Sequence, residues 1–225
     1  MHVSLLAHTH NPELLICKAA HVCYSDKHIS DINTDDAPRM IAKLIDSGHL
    51  SPLEHASFSF AIDGISRVCL AQLTRHRIAS FSVRSHRYTS VGNNDFVDIG
   101  GRSVSNIEKM IASYNADVYS GVPKEDARYA LPQAVTTSLV LSMNARELLH
   151  FFALRCCLKA QWEIRELAYL MLELVKTVAP NVFKKAGAKC QQIGFCSEAQ
   201  PCGKKDVPHK HFLFSLYKFW LENKD

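Results

Sequence analysis

The chain has 225 residues, of which 47% are hydrophobic and 21% charged, a composition typical of a soluble globular protein with a sizeable core. A formal net charge of +4 is too small to indicate a nucleic-acid-binding protein, and no apolar run is long enough to cross a bilayer. The first residues lack the pattern of a signal peptide, so we expect a cytoplasmic protein whose eight cysteines are reduced.

Hydrophobic periodicity predicts the elements of the first half of the chain. In order, these are a short strand over residues 3–6, helices over 12–23 and 38–47, a half-buried strand over 55–62 and a helix over 66–74. Asn33 or Thr34 is predicted to cap the second helix and Gly48 to end it. Gly64 is predicted to turn the chain between the last strand and helix.

The rest of the chain is predicted to add two strand segments and most of the helices. Residues 76–86 show no clear period and predict a loop, after which residues 88–90 rejoin a sheet. Helices are predicted over 105–120, just after Pro123, from the cap Asn144, and over 162–179 before Pro180, with a buried strand over 135–141.

These elements predict an α+β fold, a small and mostly antiparallel sheet covered by helices. We expect one catalytic domain over residues 1–188. Residues 189–225 are expected to form a Cys- and His-containing extension packed on that domain, with an amphipathic helix over 212–220.

The most informative segment covers residues 75–88. It holds four Arg, two His, three Ser and one Tyr, with no Lys and no acidic residue. Arginine binds phosphate and carboxylate groups through planar, paired hydrogen bonds, so the segment indicates polyanion binding. Since the chain has neither G-x-G-x-x-G nor a P-loop, side chains must hold any phosphate.

Six segments in order carry a family resemblance. They are Ser51-Pro52-Leu53-Glu54-His55; Gln72 three residues before Arg75; R-H-R at 75–77 followed by Ser85 and Arg87-Tyr88; A-R-x-x-L-P at 127–132; N-A-R-x-L at 144–148; and L-R with A-Q-W-E-I at 154–164. Together they resemble the flavin-dependent (alternative) thymidylate synthases, the ThyX family.

The resemblance implies methylation of dUMP at C5, with methylenetetrahydrofolate as carbon donor and tightly bound FAD, reduced by NADPH, as hydride source. It implies dUMP contacts by Gln72, Arg75, Val83, Ser85, His86, Arg87, Arg128 and Arg155, with Arg155 and Ser85 as catalytic residues. It implies FAD contacts by His55, Arg75, His76, Arg77, Ile78, Asn144, Arg146 and His150. It further implies a homotetramer with active sites shared between subunits, and no nucleic-acid or membrane partner.

Helical spacing bears on these assignments. Gln72 and Arg75 are predicted to share one helix face, and so are Arg146 and His150. Arg155 follows Arg146 by nine residues, which on a straight helix is about half a turn away. One pocket in one subunit can hardly use both arginines, so the spacing favours a site assembled between subunits.

Four positions depart from the family pattern. Val83 stands where the family often has Glu, His86 where Gly is common, His150 where Asn is common and Lys159 where His is common. We expect the substitutions at 150 and 159 to change details of flavin contact and to leave the dUMP set intact.

Several of these residues have more than one possible interpretation. Arg87 and Arg155 are distant from acidic residues in sequence, whereas a surface ion pair is as good an interpretation of Arg128, beside Glu125 and Asp126. We expect Ser85 to bind substrate rather than to act as a nucleophile, because it lacks a positioned base other than His86. Cys156 and Cys157 are expected to be buried structural thiols.

The C-terminal cysteines raise the question of a metal. Cys190, Cys196 and Cys202 are evenly spaced and precede His209 and His211, a set that suits zinc chemically. Their spacing is wider than that of ordinary zinc motifs, so a reduced tail without metal is favoured. Two other functions stay open: a basic nucleic-acid-binding surface over 75–88, and a flavoprotein whose NADPH oxidation is indifferent to dUMP.

Overall fold

The computed structural model describes residues 1–23, 25–26, 28–33, 35–99 and 103–203. The strands are β1 (His2–His8), β2 (Ser57–Ser66), β3 (Ala79–Val83) and β4 (Thr136–Asn144). The helices are α1 (Pro12–Val22), α2 (Ala37–Asp46), α3 (Arg67–Leu73), α4 (Ser103–Tyr119), α5 (Lys124–Ala127), α6 (Ala145–Arg155), α7 (Trp162–Val178) and α8 (Lys189–Ile193). Short 3₁₀ turns cover Ile29–Asp31, Ser51–His55 and Arg128–Ala130.

The chain forms two compact units. The sheet unit contains residues 1–7 and 58–143, and the helical unit contains residues 8–57 and 144–203. The sheet has the order β1-β2-β4-β3, and β3 runs antiparallel to β4 with Ala79 opposite Met143. A small sheet accompanied by helices confirms the predicted α+β class. The division into a catalytic domain and an extension at residue 189 stays a prediction.

The central strand β2 follows the predicted alternation, whereas β4, predicted as a buried strand over 135–141, alternates between buried and less buried residues and leaves Val140 40% exposed. Phe58, Phe60 and Ile62 of β2 are fully buried, and Leu141 of β4 is equally buried. Contrary to expectation, Gly64 does not turn the chain out of the sheet, because β2 continues to Ser66. Gly64 has φ +75°, a conformation in which residues with a Cβ are strained, so glycine serves the strand itself here.

The predicted loop over 76–86 is wrong in its middle, where β3 pairs with β4. Ser80 and Ser82 are exposed, while Phe81 and its alternate neighbours are partly covered. This is the period of two expected of a strand, but it lasts only five residues between arginines. The predicted return to a sheet at 88–90 is also wrong, because the Tyr88 N–H donates to the Ser85 carbonyl at 3.2 Å in a turn.

One face of α4 contributes to a hydrophobic cluster of the sheet unit. Ile107, Ile111 and Tyr114 recur at helical spacing and are buried together with Val91 and Val135. The predicted helix over 105–120 is therefore confirmed, and its apolar stripe is core.

In the helical unit, α1 packs against α2 and α6 packs against α7. On α7 the apolar residues at helical spacing are buried at Ile164, Leu167, Ala168, Met171 and Val175 and partly buried at Leu174 and Val178, and the helix ends before Pro180 as expected. The α1 helix is fixed by Glu13, whose carboxylate accepts hydrogen bonds from the Asn181 backbone and side-chain nitrogens, each at 2.6 Å.

The predicted cap of α2 is wrong. The helix begins after Asp36, and the Asn33 side chain instead accepts a hydrogen bond from the Asp35 N–H at 3.0 Å. Asn favours such local turns as strongly as it favours helix caps, so its residue type alone could not distinguish the two positions. Gly48 ends α2 with φ +75°, as predicted. Thr34, His209, His211 and the helix predicted over 212–220 lie outside the described residues.

All eight cysteines fall within the described residues, and each is a free thiol. None of the helices in the described part of the chain is long and apolar enough to cross a bilayer.

Candidate active site

A turn after β3 organises the arginine-rich segment in the sheet unit. The Arg84 N–H donates to the Ser138 carbonyl at 2.8 Å, which fixes the end of the strand. The Ser85 carbonyl then accepts the Thr89 N–H at 3.0 Å, and the Ser85 Oγ accepts the Arg87 N–H at 3.3 Å. Ser85 therefore stabilises the turn that presents Arg87.

Arg87 has an acidic partner that the sequence did not reveal. Its Nε donates to Glu125 Oε2 at 3.0 Å, and its terminal nitrogen lies 2.9 Å from the same oxygen. Its guanidinium also lies 5.5 Å from the centre of the Tyr88 ring. Both ionic side chains are half exposed, so the pair contributes at most about 1 kcal/mol.

Arg128 avoids the ion pair suggested by its sequence neighbours. Its Nε donates to the backbone carbonyl of Glu125 at 3.0 Å, while the carboxylate of Glu125 is taken by Arg87. Lys124 donates to the Tyr88 carbonyl at 3.2 Å. Residues 124–128 are thus tied to the Ser85 turn, and Arg87 and Arg128 are anchored on the same residue.

His86 is the buried member of this group, with 7% of its surface exposed. Burial, and after it the positive charge of Arg67, lowers the pKa of His86; Arg84 and Arg128 act in the same direction, against a hydrogen bond with the Thr136 backbone. Because the pKa falls from an already near-neutral value, His86 is uncharged at pH 7. The surrounding guanidinium groups leave a positive potential in which an anion is favoured.

The residues between α3 and β3 are mostly exposed. Gln72 lies in the last turn of α3, but Arg75 lies beyond the helix, with its N–H donating to the Gln72 carbonyl at 3.4 Å. The expectation that both share one helix is therefore wrong, because α3 ends at Leu73. Arg75, Arg77 and Ile78 are exposed, the last at 67%, whereas His76 is buried.

In the helical unit, several of the predicted FAD contacts lie near the start of α6. The Asn144 side chain accepts the Glu147 N–H at 2.9 Å, which confirms the predicted cap. The Ala145 N–H donates to the Ala56 carbonyl at 2.8 Å, and Arg146 pairs with Glu54. His55 therefore lies next to the residues that hold α6.

Arg155 is the last residue of α6, so it lies on the same helix as Arg146, as the spacing argument assumed. Arg146 and His150 are both exposed and one turn apart, whereas Arg155 is the last helical residue and lines a cavity of the helical unit. Lys159, one of the departures from the family pattern, forms an ion pair with Glu198 at 3.6 Å. Val83, another departure, is the last residue of β3, opposite Leu139.

Three participants were missed by sequence analysis. Arg67 and Arg84 act on His86, and Glu125 holds Arg87. Arg84 lies within the arginine-rich segment itself, and Arg67 follows Ser66, the predicted start of α3. Nothing in the sequence signals the pairing of Glu125 with Arg87, which depends on a fold contact across distant residues.

The two adjacent cysteines differ in burial. Cys156 is buried, as predicted, and burial raises the pKa of its thiol to about 12, although Lys176 opposes the shift. It therefore remains protonated at neutral pH and is unsuited to nucleophilic attack. Cys157 is only partly buried, so the prediction for that residue is wrong.

Comparisons with known proteins identify the family of the chain. The sequence model of the family described as thymidylate synthase complementing protein matches residues 4–181. A flavin-dependent thymidylate synthase of Geobacter sulfurreducens is 46% identical over 220 residues, covering 91% of this chain and 94% of the relative. One from Nitratidesulfovibrio vulgaris is 40% identical over 234 residues, covering 90% and 94%.

Solved structures show the same fold. The flavin-dependent thymidylate synthase ThyX of Helicobacter pylori, complexed with FAD and dUMP, has a TM-score of 0.72 and 28% identity, covering 83% of this chain and all of that one. The UMP/dUMP methylase PolB of Streptomyces cacaoi, bound with 5-Br dUMP, also has a TM-score of 0.72, with 26% identity, and the match covers 81% of this chain and 93% of PolB.

The α+β fold and the family match over most of the chain define an enzyme of the methyltransferase class. The chain belongs to the thymidylate synthase complementing family, the flavin-dependent thymidylate synthases.

The cap of α6 gives a direct test of its stability. We expect Asn144→Ala to lower the free energy of unfolding by about 1 kcal/mol, because the Glu147 N–H loses its acceptor. Asn144→Ser is the matched control and should restore most of this loss, since serine caps helices about as well as asparagine. Urea unfolding measures both changes, and equal stabilities for the alanine and serine variants would contradict the role of the cap.

Proposed function

We propose that this enzyme methylates dUMP at C5 to give dTMP, with methylenetetrahydrofolate as carbon donor and FAD reduced by NADPH as the source of hydride. Membership of the flavin-dependent family supports the reaction, and PolB and ThyX, bound to 5-Br dUMP and dUMP respectively, support the nucleotide. The observation in this chain that carries the proposal is the anchoring of Arg87 and Arg128 on Glu125, beside an uncharged His86.

The arginines would bind the nucleotide and stabilise its charge. A phosphate monoester carries close to two negative charges and needs several converging donors. Arg87 and Arg128, with Arg75 after α3, offer guanidinium donors in the sheet unit, and Arg155 offers another in the helical unit. Gln72, Val83 and His86 complete the proposed dUMP set.

Ser85 is proposed to position rather than to attack. Its hydroxyl accepts the Arg87 N–H, and its carbonyl holds the following turn. The neighbouring imidazole of His86 is uncharged, but it lies in the midst of guanidinium charge and is held by the Thr136 backbone. A serine nucleophile needs a base directed at its hydroxyl, and His86 is engaged elsewhere.

The proposed FAD ligands fit the chemistry of the cofactor. In the helical unit, Arg146, His150 and His55 are exposed donors suited to the pyrophosphate, and Asn144 is held rigidly at the helix cap. In the sheet unit, Arg75, His76, Arg77 and the exposed Ile78 are the further candidates. When bound, the reduced flavin supplies the hydride that the transferred carbon requires.

Tritium release from dUMP labelled at C5 tests the reaction. Protein freed of its bound flavin should release tritium when FAD, NADPH and methylenetetrahydrofolate are supplied, and release should fall to background when any one is left out. Release without flavin would contradict the proposal. NADPH oxidation that continues without dUMP, with no tritium released, would instead favour a flavoprotein with another substrate.

The pairing of Glu125 with Arg87 predicts a competition with the substrate phosphate. Arg87 must exchange the carboxylate for the phosphate on binding, so we expect Glu125→Gln to tighten dUMP binding by about two- to fivefold, the equivalent of up to about 1 kcal/mol. Asp126→Asn removes a neighbouring exposed charge as the matched control and should change the Kd little. Calorimetric titration measures both, and weaker binding by Glu125→Gln would show that the carboxylate orients Arg87 instead.

We also propose a homotetramer with active sites shared between subunits. Arg146 and Arg155 lie half a turn apart on α6, so their side chains leave the helix on opposite faces. The same region exposes large apolar side chains, at Leu154, Leu158, Trp162 and Tyr169, that a subunit interface would bury.

Native mass spectrometry of the FAD-loaded protein should report four chains. A Leu158→Glu variant places a charge in the exposed apolar region and should shift the distribution to smaller species. Lys159→Glu changes the charge of an exposed neighbour and serves as the control. A monomeric wild-type protein would contradict shared sites.

A further inference from the structure

A cavity of about 300 Å³ in the helical unit gathers most of the cysteines of the chain. Its wall is formed by residues 153–160 at the end of α6, by Tyr169 of α7 and by residues from 188 to 202. Cys157 comes from the first of these segments, whereas Cys190, Cys196 and Cys202 come from the last. The fold therefore adds a fourth cysteine, Cys157, to the three evenly spaced ones, and its distance from them along the chain had given no reason to include it.

The four cysteines line one cavity, and none of them is fully buried. Cys157, Cys190 and Cys196 are partly buried and Cys202 is exposed, whereas Cys156 packs into the core. A cavity of about 300 Å³ is small enough that four residues in its wall lie around one shared space. All four are free thiols.

The charges around the cavity complement a metal centre bound by thiolates. Arg155, Lys159 and Lys189 line it together with one carboxylate, that of Glu198, so positive charge is in excess. Four thiolates around one Zn²⁺ ion or around an oxidised [4Fe–4S] core carry a net charge of about −2. The wall therefore offsets the charge that such a centre would bring.

We propose that Cys157, Cys190, Cys196 and Cys202 bind one thiophilic metal centre. Four cysteines that converge without forming disulfides are typical of zinc or iron–sulfur sites in a reducing compartment. The five-residue gaps between the last three cysteines exceed the two to four residues usual for zinc, and the cavity is larger than one ion needs. Both features favour an iron–sulfur cluster over Zn²⁺. This proposal replaces the metal-free tail expected from sequence.

Metal analysis of the full chain tests the proposal. The protein is purified without oxygen or chelators from cells supplied with iron and zinc, and iron, acid-labile sulfide and zinc are measured per chain. We expect about four iron and four sulfide for the cluster. About one zinc without iron would keep the four-cysteine site and assign it to zinc. Less than about a tenth of either metal per chain, before and after anaerobic reconstitution, would overturn the site.

Matched variants separate the site from incidental binding. Cys196→Ser should lose most of the metal and lower the thermal midpoint by about 5 °C or more, because the metal stabilises the segment that it crosslinks. Cys23→Ser removes an exposed thiol far from the cavity wall in sequence and should keep both metal and midpoint. Equal metal content in the two variants would contradict the assignment.

Alkylation of wild-type protein gives a readout that does not depend on a variant that folds. In metal-loaded protein, iodoacetamide should modify Cys23 but leave Cys157, Cys190, Cys196 and Cys202 protected. Removal of the metal with a chelator should expose these four together, as peptide mass spectrometry would show. Free reaction of all four in the loaded protein would overturn the proposal.

Discussion

The start of α6 is the constraint on which most of the helical unit depends. The Asn144 side chain accepts the Glu147 N–H, and the Ala145 N–H donates to the Ala56 carbonyl, so both the first turn and its position are fixed. Because α6 is continuous from Ala145 to Arg155, that start also sets the direction of every later side chain. The positions of Arg146, Arg155 and the cysteines after it therefore depend on the junction between Ala56 and the start of α6.

In the arginine-rich segment, the fold partly compensates the concentrated positive charge in the absence of a ligand. The Glu125 carboxylate forms a half-exposed ion pair with Arg87, and the Glu125 backbone carbonyl accepts a hydrogen bond from Arg128. Burial and the neighbouring guanidinium groups keep His86 uncharged, so no further positive charge is added inside. Weak, solvent-screened pairing suits a binding site, since a strongly buried ion pair would resist exchange with an incoming phosphate.

Sequence periodicity predicted the long elements well because their apolar residues repeat over many positions, as in α4, α7 and the central strands. It failed at β3, where five residues between arginines are too short a pattern, and at Gly64, where a glycine typical of turns lies within a strand. The motif residues can be recognised from the sequence because their order along the chain is distinctive. The ion pair of Glu125 and the cavity lined by Cys157 cannot be recognised in this way, because both depend on contacts between segments that are distant in sequence.

The end of α6 connects the two proposals made for this chain. Arg155, a proposed dUMP ligand, is the last residue of the helix, and Cys157, a proposed metal ligand, lies two residues beyond it; both line the same cavity. A metal centre held by Cys157 and the three later cysteines would restrict the turn that follows Arg155 and limit the rotamers available to its side chain. Since binding by a long side chain is opposed by the entropy of ordering it, a crosslink at this position would favour the bound conformation before substrate arrives. The metal would then act on the nucleotide through position alone, without contacting it.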